Sequence, residues 1–346
     1  MKAACKKSRS RVVVGEKRDL FRVGFAACTQ RRLQVQPTLA QRWSVPMTDP
    51  KPRPTADDFA AEVLSLFDQY VHGGIDRRAF LDRAAKYAVG GVTATALLET
   101  LSPRFAQAQQ VPALDARIKA ETVDFASPQG YGKARGYLVR PAGATGPLPA
   151  VLVVHENRGL NPHIEDIARR LALDNFIAFA PDALSPLGGY PGDEDKARNL
   201  FGQLDQAKTS EDFVAAVAYL KNLAGCNGKV GAVGFCYGGG VVNLLATRLS
   251  ELAAGVSFYG PAPALDKVAA ITAPLLIVFA ENDDRINATW PPYEAALKAA
   301  DVKFVALKYP GTQHGFNNDT TPRYDAAAAK TAWAHTISWF ERALRT

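Results

Sequence analysis

Cys236 sits in the stretch KVGAVGFCYGGGVVNLLA, residues 229–246. A β-rich run leads into Gly234-Phe235-Cys236-Tyr237-Gly238, and the helix-compatible VVNLLATRL follows. Gly-x-Cys-x-Gly at a strand-to-helix turn is a nucleophile elbow with cysteine in the nucleophile's place. The glycines have a physical role. The central residue of such a turn is strained, strand and helix backbones pass close on both sides, and side chains at 234 or 238 would clash. The helix start also turns backbone N–H groups and its positive dipole end toward the sulfur, which favours a thiolate. A plainer reading competes. A free cysteine is among the most buried residue types, and a glycine-rich turn can simply need a small side chain.

An elbow demands an acid and then a histidine, each after a later strand. The run PLLIVFA (274–280) is followed by Glu281-Asn282-Asp283-Asp284, and FVALKYP (304–310) by Gly311-Thr312-Gln313-His314-Gly315-Phe316. The chain has 5 histidines, and beyond Cys236 only His314 and His335 remain. His335 falls in a helical segment, so His314 is the candidate base. A lone loop histidine is often a plain surface residue; this one stands where the elbow requires it. Asp283 and Asp284 both remain open as the acid, with Asp283 favoured.

The elements that must position these residues follow from periodicity. From Val111 onward, β-rich runs (ETVDFAS, ARGYLVRP, AVLVVHE, FIAFAPD, KVGAVGF, AGVSFYG, PLLIVFA, FVALKYP) alternate in their later part with helical segments such as HIEDIARRLALDN and SEDFVAAVAYLKNLA. The central runs are apolar nearly throughout, as strands buried on both faces of a parallel sheet are. Strands alternating with helices imply a doubly wound α/β domain over 111–346.

The N-terminal part reads differently. The net charge of +7 is concentrated in residues 1–46, which carry 11 Lys and Arg against 2 acids; the other 300 residues carry 30 against 32. The folded part is near neutral, so no nucleic-acid footprint is expected, and no apolar run reaches the roughly 18 residues of a membrane span. Residues 1–46 read as an upstream extension before a start at Met47, or as an Arg-rich transit-like peptide. Residues 47–110 read as a helical leader. Thr55 can cap a helix that Gly73-Gly74 ends. Arg77-Arg78, an apolar stretch from Ala88 to Leu98 and Ala106-Gln107-Ala108 have the parts of a twin-arginine export signal with a cleavage site. The competing expectation, slightly favoured, is a retained helical pair packed on the main domain. A reducing, cytoplasmic compartment goes with retention and a periplasmic one with export. Cys226 and Cys236 are separated by an intervening strand and are too far apart to bridge. Cys5 and Cys28 lie in the N-terminal extension.

Together VVHENRGLNP, APDALSPLGGYPG, GFCYGGG, FAENDDRIN and YPGTQHGF are similar to the motifs of the dienelactone hydrolase (carboxymethylenebutenolidase) family of α/β-hydrolases, over about 111–346. The resemblance implies an α/β-hydrolase fold: a mostly parallel sheet of about eight strands with helices on both faces. It implies Cys236 as nucleophile, His314 as base, Asp283 as orienting acid, and Glu156 as the carboxylate that holds the resting thiol and accepts its proton when substrate arrives. The oxyanion donors would be the N–H groups of Tyr237, next after the nucleophile, and Asn157, in the loop after AVLVV. The leader resembles one found in a subgroup of these hydrolases, which favours retention. One position departs. Where the family grips a substrate carboxylate with an arginine four residues after the catalytic histidine, this chain has Asn318. Arg158, Arg198, Arg285 and Arg323 are substitutes to weigh, each also readable as an ordinary surface cation, Arg158 least so. Dienelactone itself is therefore doubtful as substrate, whereas ester or lactone hydrolysis is expected.

The expected chemistry is attack of the thiolate on an ester or lactone carbonyl, with no metal or organic cofactor, since no His/Cys cluster has metal-ligand spacing. The partner is a small-molecule substrate; oligomeric state is not legible. A thioesterase or acyltransferase on the same triad, and a non-catalytic binding module keeping the fold, are the alternatives.

Overall fold

The computed structural model describes residues 53–88 and 91–345. The expectation for 1–46 therefore concerns residues outside the described ones, as does the start at Met47. The first described elements are the leader helices: α1 (Ala61–Val71), α2 (Arg77–Ala84), α3 (Ala94–Leu101) and the single turn α4 (Phe105–Ala108). Thr55 precedes a short 3-10 turn, Ala56–Asp58, and the long helix begins only at Ala61. Gly73, with φ 78°, takes a left-handed conformation just after it. Arg77-Arg78 open α2, where Asp76 caps the helix by accepting from the Ala79 N–H at 2.7 Å. These helices have their own small core of Val63, Leu64, Phe67, Tyr70, Phe80, Ala84, Leu98 and Leu101.

The rest alternates as the periodicity implies. The strands are β1 (Ile118–Ser127), β2 (Gly132–Pro141), β3 (Leu148–Val154), β4 (Ile177–Asp182), β5 (Cys226–Phe235), β6 (Ala254–Phe258), β7 (Leu275–Asn282) and β8 (Phe304–Gln313). The interleaved helices are α5 (Pro162–Leu173), α6 (Glu194–Phe201), α7 (Gln206–Lys221), α8 (Tyr237–Arg248), α9 (Asp284–Asn287), α10 (Trp290–Ala299) and α11 (Ala326–Leu344). They form one eight-stranded sheet of order β1-β2-β4-β3-β5-β6-β7-β8. β1–β2 and β2–β4 pair antiparallel; every pairing from β4–β3 to β7–β8 is parallel.

Successive side chains along a strand point to opposite faces, and the sheet has a core on each. Ala150, Leu152 and Val154 of β3 pack with Phe213 and Val217 of α7 and Val242 and Leu245 of α8. Val151 and Val153 pack on the other face with Ile164, Ile167 and Leu171 of α5 and Phe340 of α11. Both faces of β3 are covered, so the strand is apolar throughout.

The leader and the sheet domain lie in one compact unit, Pro52–Thr346. Asp319 is a hub between them. Its side chain is 4% exposed, accepts from Arg170 Nη2 and Gln110 Nε2 at 2.7 Å each, and lies 3.2 Å from His163 Nδ1. Burial on its own would push its carboxyl up, but these neighbours outweigh it and hold the carboxyl down at about 2.

Candidate active site

The elbow is built from backbone crowding. Cys236 has φ 55° and ψ −113°, a strained conformation for a residue with a Cβ. It lies between the end of β5 and Tyr237, the first residue of α8. A Cβ on Gly234 would come within 2.0 Å of the Gly238 carbonyl oxygen, and one on Gly238 within 2.2 Å of the Val154 carbonyl oxygen. Both contacts are with backbone, so glycine is obligatory at each. The Tyr237 N–H, at the head of α8, is among the first four of the helix and has no partner within it.

His314 follows β8 and Asp283 follows β7, at neighbouring strand ends. Asp283 Oδ2 lies 2.6 Å from His314 Nδ1, and both residues are buried. The other oxygen of Asp283 accepts the Ile286 N–H and caps α9, which fixes the carboxylate's orientation. Asp284 is exposed. With Nδ1 on Asp283, His314 Nε2 faces inward without a hydrogen-bond partner among the described residues. His335 is exposed and lies 3.0 Å from the Tyr309 hydroxyl.

The loop after β3 carries Glu156, Asn157 and Arg158. Asp182, at the end of β4, steadies its far side by accepting from Leu160 N at 3.1 Å. Glu156 receives a 3.1 Å hydrogen bond from Asn318 Nδ2. These residues line a cavity of about 350 Å³ together with Cys236, His314, Tyr190 and, from the leader, Phe67, Tyr70, His72 and Phe105.

The leader's contribution was not legible in the motifs. His72, just past the end of α1, places Nε2 3.2 Å from the Cys236 sulfur. Its Nδ1 lies 2.8 Å from the Asp68 carbonyl oxygen and 3.2 Å from the Asp68 carboxylate. The one available signal was the Asp68/His72 pair, four residues apart on a predicted helix, which puts a carboxylate behind an imidazole.

The arginines weighed as anion binders also meet this turn. Arg158 Nη2 donates to the Val71 carbonyl at 2.9 Å, and Arg198 Nη1 to the Tyr70 carbonyl at 2.6 Å. Arg323 Nη1 lies 3.4 Å from Asp68, and Arg285 Nη2 is 3.2 Å from His72 Nε2. Asn157 Nδ2 donates to Val71 O as well. The last carbonyls of a helix lack intrahelical partners and carry its negative dipole end. They are what Arg158 and Arg198 bind.

Burial on its own would push the Cys236 thiol up. The imidazoliums of His314 and His72 outweigh it and bring the thiol down to about 6. Burial likewise disfavours charge on both histidines, but the thiolate and the two carboxylates prevail, raising His314 to about 9 and His72 to about 10. One ring nitrogen each of His72 and His314 and the Cys236 sulfur lie within 4.8 Å of one another. No short-range sequence spacing announces this cluster, because the chain brings the three together from distant segments. Two imidazoles, each backed by a carboxylate and turned toward one sulfur, suit thiolate chemistry.

A family profile described as "Dienelactone hydrolase family" matches residues 134–344, and one described as "YqhI-like" matches 51–86. The "Putative carboxymethylenebutenolidase" of Escherichia coli (strain K12) is 33% identical over 221 residues, 60% of this chain and 81% of that protein. The "Putative hydrolase fragment YghX" of the same organism is 56% identical over 114 residues, 33% of this chain and 97% of the fragment. Among solved structures, a "Putative Dienelactone Hydrolase" from Klebsiella pneumoniae subsp. pneumoniae MGH 78578 superposes with a TM-score of 0.58 at 29% identity, covering 65% of this chain and 99% of that one. No helix among the described residues is long and apolar enough to cross a membrane.

Proposed function

The chain belongs to the dienelactone hydrolase family of α/β-hydrolases, and we propose that it hydrolyses a small-molecule ester or lactone through Cys236, His314 and Asp283. The observation that carries the reading is the buried Asp283–His314 pair at 2.6 Å, with the imidazole's other nitrogen turned toward the strained Cys236. The Cys236 thiolate attacks the carbonyl carbon. The oxyanion is held by the N–H groups of Tyr237 and Asn157, each worth roughly 3 kcal/mol at the transition state. His314 gives its proton to the leaving alkoxide and leaves a thioester on Cys236. His314 then takes a proton from water, hydroxide attacks the thioester, and the acid departs with the thiolate restored. Asp283 keeps the imidazole in the needed tautomer and stabilises its charged form.

The substrate we propose carries no carboxylate at the arginine positions. Arg158 and Arg198 already hold the carbonyls of α1, and Asn318 is engaged with Glu156. The leader, on this reading, is retained and forms one wall of the pocket.

The test is p-nitrophenyl acetate turnover by the full chain beside Cys236→Ala and Cys236→Ser. Activity lost in the alanine variant, with a folded protein, is the expected result. A rate unchanged by Cys236→Ala would remove the cysteine from the mechanism. Adding an alcohol or amine acceptor separates hydrolysis from acyl transfer by the product formed. Protection of the thiol from iodoacetamide by neutral lactones, but not by carboxylate-bearing ones, is the expected specificity.

A further inference from the structure

Two histidines face the Cys236 sulfur, and the mechanism above uses one. The second, His72, is built like the first. His314 has its Nδ1 on Asp283 and His72 has its Nδ1 on Asp68, so each ring is backed by a carboxylate and presents Nε2 to the sulfur. The rings meet edge to face with centroids 4.8 Å apart. The Nε2–Sγ distance of 3.2 Å is that of a hydrogen bond to sulfur. Glu156, meanwhile, is occupied by Asn318.

We propose that His72 is a catalytic residue of this site, the base that takes the Cys236 proton and then holds the resting sulfur as a thiolate. The proposal rests on reading Cys236 as the nucleophile. In the step, the S–H bond breaks, its proton passes to His72 Nε2, and the electron pair stays on sulfur; nothing is oxidised or reduced. His314 holds a proton of its own, drawn from solvent, and that proton serves the leaving oxygen. Two imidazoles thus divide what one would otherwise do in turn. Substrate charge is not needed to ionise the thiol, which fits a pocket whose arginines are engaged by the leader.

The charged neighbours are consistent with this division. His72 faces Asp68 on α1, Cys236 ahead of α8, His314 after β8, and Arg285 on α9. The Arg285 guanidinium is exposed and can turn to solvent when the ring is charged. Asp68 is held well below the ordinary carboxylate range, because His72, His314 and Arg323 outweigh its burial. The charge of Cys236 is also felt by Arg158 and Tyr259. Both are buried.

Thiol ionisation can be read without turnover, from thiolate absorbance and from iodoacetamide alkylation against pH, with Cys236→Ala subtracting the other cysteines. In His72→Gln the Cys236 titration is expected to move up by about 1–3 units relative to the unchanged chain. The loss in kcat/KM is expected to be larger at pH 6.5 than at pH 8.5, where the thiol ionises unaided. Asp68→Asn, which keeps the ring and removes the charge behind it, is expected to shift the titration less and in the same direction. It also serves if His72→Gln does not fold. A Cys236 titration in folded His72→Gln or Asp68→Asn that superimposes on that of the unchanged chain overturns the proposal. Failure of the hydrolase reading looks different: the full chain would not turn over esters, although the titration still moved on substitution of His72.

Discussion

Asp283 has two duties at atomic scale, and they can be separated. One oxygen caps α9 and the other holds His314. Asparagine can still accept from the Ile286 N–H, so Asp283→Asn leaves the cap largely in place. It removes the charge that stabilises the imidazolium and admits the wrong tautomer. The expected result is a fall in kcat of roughly 10³–10⁴-fold with little change in thermal midpoint, measured by ester turnover and calorimetry on the same sample. A large drop in midpoint would mean that the pair is structural first. That Cys236, His314 and Asp283 would come together was legible because each follows a strand end in a fixed order, which pattern alone can locate. His72 was not, because a histidine closing a helix in a leader has no spacing that ties it to residue 236.

The elbow is the element whose sequence and geometry agree most closely. Gly238 packs against the end of β3, and a methyl group there would meet a backbone oxygen that cannot step aside. Gly238→Ala is expected to cost about 1–3 kcal/mol in urea unfolding and to slow alkylation of Cys236 as the turn is pushed out of line. Unchanged stability with unchanged thiol reactivity would contradict that account. The strands were readable for the same local reason: buried runs such as Ala150–Val154 are apolar on both faces. The leader was ambiguous because a capped Arg-Arg helix with apolar followers has the composition of an export signal. The leader's contacts with the sheet domain are tertiary: Tyr70 hydrogen-bonds Asp195, and Arg104 N donates to Thr320 O. No local window contains both partners.

At the scale of the whole molecule, the site's charge balance predicts its working pH. A thiol lowered to about 6 is ionised above that pH, so activity rises as pH passes through about 6. An imidazole raised to about 9 keeps its proton below that pH, so the leaving-group acid is lost as pH passes about 9. A bell-shaped kcat/KM profile between those limits is expected. A profile still rising through pH 9 would show that His314 does not act as the acid. The arginines illustrate the limit of sequence at this scale. Their number and positions were plain, and an anion was the natural guess for their partner, yet Arg158 and Arg198 meet the end of a helix more than eighty residues earlier in the chain.

The contact between His72 and Cys236 spans 164 residues, and His314 lies further still along the chain. A ribosome releases the leader long before it has made Cys236, and Cys236 before His314. The elbow therefore exists for a time with neither imidazole beside it, its sulfur an ordinary sluggish thiol. On the proposed reading of Cys236, the chain acquires its reactive atom only when the leader and the last strand have both packed beside the elbow, so an unfinished or misfolded copy would carry no activated cysteine to react with its surroundings.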